Sequence, residues 1–466
     1  MNPELLRNLW LELTPMRRWG VPFTVAMVMV LTFLVQPLAP PLMLAKGFAM
    51  SGLGLFALFS IWGATKAMNS VTGEITSNTW DMQRLAGHRP WDLLVGKVLG
   101  STSAEWYGAG MALGIYLLAR AASAPLWMLP LDLITLVSAA LLAQAFGVFA
   151  SLAGANTVRS MRRPPRGMGN QGAGLILALV IGSSLTPFAA LFLDTSAANE
   201  LMVHWWIPLS MRIFLPLTFI TFFGWVVAGA HRLIRAELQE PVRPWTWLAF
   251  LGFLTLYLYP LTVGWLFDDT NRSITLLVCT AAMVFGAFVP MLLLGERKDV
   301  VRLRSLAAAW RRGDRQSVLT QLPLWTFTLV GYVACVAALG VLTVLSPSVP
   351  MLTAFGVALG VLLLMLRDIG LVMAVHLAPR PSRDPGMVTA FLFAIFYVLM
   401  PILAGAAGDG FSWLLMMFVP VAAVLTDHIA VTALGLTALA WGVPLVGATW
   451  AVARPRIQLA LREADD

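Results

Sequence analysis

Apolar residues dominate the chain in runs rather than in alternation. Residues 21–38 and 175–193 each pass about 18 or more positions without a charge, the length a helix needs to cross ~30 Å of hydrocarbon. In lipid the backbone must satisfy its own hydrogen bonds, which leaves helices or a closed barrel. Continuous apolar runs, not a period of two, select helices. The pattern predicts spans near 20–42, 48–66, 95–119, 126–153, 173–193 and 207–230. A second set lies near 244–266, 274–295, 324–345, 350–377, 387–406 and 429–452. Residues 2–18 differ. Leu5, Leu6, Leu9, Trp10 and Leu13 recur at helical spacing, which predicts an interfacial helix ended near Pro15 and anchored by Arg17 and Arg18.

The connections fix the expected orientation. Arg84, Arg89 and Lys97 flank one loop, Arg159, Arg162, Arg163 and Arg166 crowd another, and 296–323 carries Arg297, Lys298, Arg302, Arg304, Arg311, Arg312 and Arg315. The intervening loops are short and poor in Lys and Arg, so the basic side is expected to be cytoplasmic, with both termini inside. Residues 411–426 do not fit this count. They form a short apolar stretch followed by Asp427 and His428, and a full span there would put the basic tail outside. They are therefore expected to be re-entrant. The reading is all-α: a polytopic integral membrane protein of about 12 spans in two six-helix halves, 1–240 and 241–466, with interfacial elbow and re-entrant helices.

Composition agrees. Hydrophobic residues make up 59% and charged residues 12%, against about 25% charged in a soluble chain. The net charge of +8 is explained by inside loops and membrane lipids, without nucleic acid. Cys279 and Cys335 both lie within apolar runs and read as packing residues. No P-loop, H-E-x-x-H, C-x-x-C or G-x-S-x-G is present, and the five histidines lack metal-ligand spacing. The chain is expected to be non-catalytic, without a cofactor or metal of its own.

Charges inside spans are costly and mark function by default. Asp132 and Arg212 lie near span ends and are expected to snorkel to the interface. Arg367 and Asp368, about 100° apart on a helix, are expected to find partners on neighbouring helices. Glu105 is the best candidate to line a cavity, with an interhelical hydrogen bond as the other reading. Glu105, Arg367 and Asp368 are thus the candidate translocation path.

The most informative connection is 68–100. It carries Glu74, Thr79, Trp80, Asp81, Arg84 and Leu85, a turn at His88-Arg89-Pro90, and Gly96-Lys97 at re-entry. This resembles the ABC-2 class of ABC transporter permeases. There the loop after the second span bears a glutamate, a Gly-Thr-x-(Asp/Glu)-x-Leu element, a turn, and a Gly-Lys leading into the third span. Asn78 replaces the usual glycine, and Leu85 is displaced. The likeness covers about 30 residues. The elbow helix, the re-entrant element before the last span, and a counterpart near 199–208 fit the same class.

The resemblance implies a permease that moves its substrate with ATP and Mg bound by separate cytosolic ABC ATPase subunits. The loop around Trp80–Leu85 would be a coupling helix, with Trp310 and Arg311 within 305–312 as the second-half equivalent. Most members carry one six-span unit and dimerise, so this chain would be a fused form in a bacterial inner membrane. Competing readings are an ion- or proton-coupled secondary transporter, resting on Glu105 or the Arg367–Asp368 pair, and a membrane enzyme acting on lipid-linked substrates. Sparse internal charges lean towards a hydrophobic or amphiphilic substrate.

Overall fold

The computed structural model describes residues 2–35, 40–77, 79, 80, 82, 86, 87, 89–160, 202–266, 274–296, 298, 300–347, 349–378, 385–399 and 431–462. Among these, eight helices are long and apolar enough to cross a membrane. The chain is a helical, multi-pass membrane protein. It divides into two units, Met1–Val242 and Arg243–Asp466.

The first unit opens with α1 (Pro3–Glu12), α2 (Pro15–Val35) and α3 (Pro41–Thr76). The first helix ends at Glu12, near Pro15 as expected, and Pro15 begins the next one, where its missing N–H is no loss. α4 (Pro90–Val95) runs into a π-helical segment, Gly96–Gly100, closed by the Ser101 amide donating to the Gly96 carbonyl at 3.2 Å. α5 (Ser103–Ala121) follows, so the third predicted span is a broken helix rather than a continuous one. A short 3-10 turn leads to α6 (Leu129–Ser160). Met202–His204 and Pro208–Ser210 pair antiparallel as β1 and β2, with Val203 opposite Leu209. The re-entrant counterpart expected at 199–208 is therefore, in its described part, a two-stranded hairpin. It leads directly into α7 (Met211–Glu237).

α3 is the axis of this unit and packs on α5 and α6. Small residues permit it. A Cβ on Gly147 would stand 2.5 Å from the Ala64 carbonyl oxygen, and one on Gly52 would stand 2.9 Å from the Tyr116 amide nitrogen. Without a hydrophobic drive between helices in lipid, such close backbone approach supplies the packing. Leu53, Phe56, Ala112, Tyr116 and Ala140 fill one end of the bundle. Val71, Trp80, Leu93, Val148 and Ile234 fill the other. α2 leaves Trp19, Phe23, Met27 and Val30 exposed, an apolar surface suited to hydrocarbon rather than water.

Asp132 and Arg212 do not snorkel. Both are buried and joined by an ion pair of 3.1 Å, because α6 and α7 bring them together before either could reach the surface.

The second unit comprises α8 (Trp245–Leu266), α9 (Ile274–Gly295), α10 (Val300–Arg311), α11 (Arg315–Gln321), α12 (Leu324–Leu345) and α13 (Val349–His376). α14 (Pro385–Ala394), a π turn at Ile395–Leu399 and α15 (Val431–Arg462) complete it. α13 packs along α15, and α9 along α12. The Tyr332 hydroxyl donates to the Ala358 carbonyl at 2.9 Å, tying α12 to α13. The predicted span at 173–193 and the stretch at 411–426 lie outside the described residues.

Candidate functional site

α1 docks on the bundle through its polar face. Glu4, Asn8 and Glu12 recur every four residues and line one face. That polar face, not the leucine stripe, turns inward: Glu4 is 2% exposed, whereas Trp10 is 85% exposed. The Asn2 side chain caps the helix, accepting from the Glu4 and Leu5 amides at 3.0 and 3.2 Å. Its Nδ2 also donates to the Asp92 carbonyl at 2.8 Å.

Two glycines receive α1. A Cβ on Gly96 would lie 2.4 Å from the Glu4 Cγ, and one on Gly100 would lie 2.9 Å from the Asn8 Cβ. The resulting groove lets the Asn8 amide donate to the Gly96 carbonyl at 3.1 Å. Lys97, between the glycines, is 1% exposed. Its ammonium pairs with Glu4 at 3.4 Å and with Glu74, and lies 5.7 Å from the Trp80 ring centre. Arg7 closes the set with 3.0 Å pairs to both Glu4 and Glu74. Two carboxylates thus face two cations, the balance that low dielectric requires.

Trp80 carries this cluster into the loop. Its indole is 3% exposed and donates to Glu237 Oε2 at 3.4 Å, reaching the end of α7. Thr79 folds back, its amide donating to the Glu74 carbonyl at 2.9 Å. Thr79 and Met82 face outward. Asp81, Arg84 and Leu85 lie outside the described residues.

A second network runs deeper. Lys66 on α3 pairs with Glu12 at 2.5 Å and with Glu105 at 2.9 Å, and Arg17 also pairs with Glu12. Glu105 therefore bonds between helices, and its Oε2 is buried without a donor among the described residues. Nearby, Gln144 Oε1 accepts from Trp106 Nε1 at 2.8 Å and from Thr102 at 3.2 Å. The four-residue stripe of α1 and the glycine pair at 96 and 100 were the sequence signals for both networks. Each was masked by the more obvious leucine pattern.

In the second unit the basic connection forms α10 and α11. Gly313 takes φ +71°, the left-handed conformation that ends the alanine-rich helix. Asp314 then caps α11, accepting from the Ser317 amide at 3.2 Å and from its hydroxyl at 2.5 Å. Those bonds hold the Asp314 carboxyl below its usual pKa. Trp310 is 73% exposed beside an exposed Arg311, while Ala309 on the opposite face is fully buried. Glu296 accepts the Leu324 amide with both oxygens, at 2.9 and 3.0 Å, and so fixes the entry to α12.

Arg367 and Asp368 pair with each other, at 2.9 and 2.7 Å from Nε and Nη2. Flexibility of the guanidinium arm overcomes their angular separation. Tyr397 also donates to Asp368, and its ring lies 5.4 Å from the Arg367 guanidinium.

The structure therefore joins Glu74, Trp80 and Lys97 into one cluster and places Glu105 in a neighbouring one. Trp310 with Arg311, and Arg367 with Asp368, form separate places in the second unit. No protein-family model, curated protein or solved structure matches the chain.

Proposed function

We propose that this chain is the membrane-spanning subunit of an ABC-2 type transporter, powered by ATP hydrolysed on separate cytosolic ATPase subunits. One observation carries the reading. The connection that would meet an ATPase is tied through Glu74 and Trp80 to Lys97, at the entry to the broken third span. A push on Thr79 or Met82 is delivered to α1, α3, α5 and α7 together, as a coupling loop requires. In this reading Trp80 anchors the loop from within, and the ATPase meets its exposed neighbours. Trp310 and Arg311 present the corresponding surface of the second unit. About 12 spans, cytoplasmic termini and a bacterial inner membrane complete the proposal, with a hydrophobic or amphiphilic substrate.

The test is affinity purification from native membranes in mild detergent, with mass spectrometry and an ATPase assay. A stoichiometric P-loop ATPase that is lost when Asp81 and Arg84 are replaced together supports the reading. A chain that purifies alone, under conditions that keep ABC complexes intact, ends it.

The Lys66–Glu105 pair favours a second reading, a proton-coupled secondary transporter, because buried ionisable groups inside spans mark ion and proton pathways. Glu105→Gln would then abolish gradient-driven uptake, and no ATPase would be required.

A further inference from the structure

At the end of the first unit opposite the Glu74–Lys97 cluster, three charged side chains meet. Arg120 comes from the last turn of α5, Asp132 from the first turn of α6, and Arg212 is the second residue of α7. Asp132 Oδ2 accepts from the Tyr116 hydroxyl at 3.0 Å and from Arg120 Nε at 3.4 Å. Its Oδ1 accepts from Arg212 Nη1 at 3.1 Å. The side chains of Arg120, Asp132 and Arg212 are 3%, 1% and 5% exposed.

Among the described residues the charges do not balance. Two guanidiniums face one carboxylate, and Arg120 Nη2, Arg212 Nε and Arg212 Nη2 are buried with no acceptor among the described residues. A water molecule supplies an acceptor but leaves the excess positive charge in low dielectric. The amino end of α7 adds to that charge: Ser210 at its cap makes no side-chain bond to the first turn, and the helix dipole there is positive. Paired guanidinium forks with free N–H groups match the oxygens of a phosphate.

We propose that Arg120 and Arg212, held side by side by Asp132, bind a phosphate oxyanion, supplied by a lipid headgroup or by a soluble phosphate. The position fits either source, since the cluster lies at span ends, where headgroups and water meet the bundle. The inference stands independently of the transport mechanism.

The test uses the full chain in dodecylmaltoside micelles, which carry no phosphate, with thermal unfolding followed by tryptophan fluorescence. Sodium phosphate is titrated against sodium chloride at matched ionic strength, and a parallel set of micelles contains phosphatidylglycerol. Stabilisation by phosphatidylglycerol alone assigns a headgroup, and stabilisation by free phosphate assigns a soluble ligand. Arg120→Gln keeps the Asp132–Arg212 pair, so it should fold while losing about tenfold or more in affinity. Arg120→Lys, which keeps the charge but not the fork, should fall between, and it serves if the glutamine variant does not fold. Equal responses to phosphate and chloride together with equal stability with and without phosphatidylglycerol, or an Arg120→Gln protein that binds like the wild type, would overturn the proposal.

Discussion

Replacing Lys97 with methionine keeps the volume of the side chain and removes the charge. The ammonium is 1% exposed and neutralises Glu4, itself 2% exposed, and Glu74. After the change Arg7 still bonds both carboxylates at 3.0 Å, so one negative charge of the two remains uncompensated. Removing one partner of a buried pair costs about 3–5 kcal/mol. With Arg7 in place the lower end applies, about 3 kcal/mol, a large share of the ~5–15 kcal/mol that holds a typical fold. Glu4→Gln added to Lys97→Met removes the stranded charge, so the double variant should be more stable than Lys97→Met alone. The assay is a double-mutant cycle on unfolding in detergent, with hydrogen exchange over residues 3–12 to localise the loss to α1. A coupling of about 1–3 kcal/mol is expected. Additivity within about 0.5 kcal/mol, with unchanged exchange in α1, would refute the claim that Lys97 and Glu4 hold α1 in place.

Other consequences are equally concrete. Gly147→Ala forces a methyl towards the Ala64 carbonyl, 2.5 Å away, and should cost about 1–3 kcal/mol; an unchanged melting temperature would show that α3 and α6 can part freely. Gly313→Ala at φ +71° should cost roughly 1 kcal/mol and show first as faster exchange in α10 and α11. The Asp314 carboxyl titrates below its reference value of 3.8 when folded, so its contribution is present above that pH and is lost as pH falls through the lower folded value. The Ser317 amide should lose exchange protection over that acid range, and Ser317→Ala should move the loss to higher pH. Trp310→Ala should leave stability within about 0.5 kcal/mol, since the ring is largely exposed, yet lower ATPase stimulation in the assembled transporter. Normal stimulation by the alanine variant would remove Trp310 from the coupling surface.

What was legible in the sequence was what a one-dimensional average records. Apolar runs of span length located the membrane helices, because hydrocarbon thickness sets length whatever the tertiary partners are. The buried ion pairs were not legible. Lys97 and Glu4 lie far apart in sequence, and the local signals, a polar stripe at every fourth residue and two glycines, name no partner for either. Arg212 and Asp132 each looked able to reach the interface, since snorkelling is judged on one helix at a time. The leucine stripe of α1 named its apolar side, but nothing in the sequence named the groove that receives its polar side.

The docking of α1 also bears on how the chain is made. Asn2 and Asp92 bond across 90 residues, and synthesis at ~5–20 residues per second separates their emergence by about 5–20 s. During that interval α1 has no groove to enter, because Gly96 and Gly100 do not yet exist. Its tryptophan and leucines can rest on the bilayer surface while Glu4, Asn8 and Glu12 stay in water. The same helix is thus soluble on one side and membrane-bound on the other until its partners arrive. The amino terminus would be among the last parts of the first unit to settle, and a bulky fusion at Asn2 would be felt at assembly rather than at insertion.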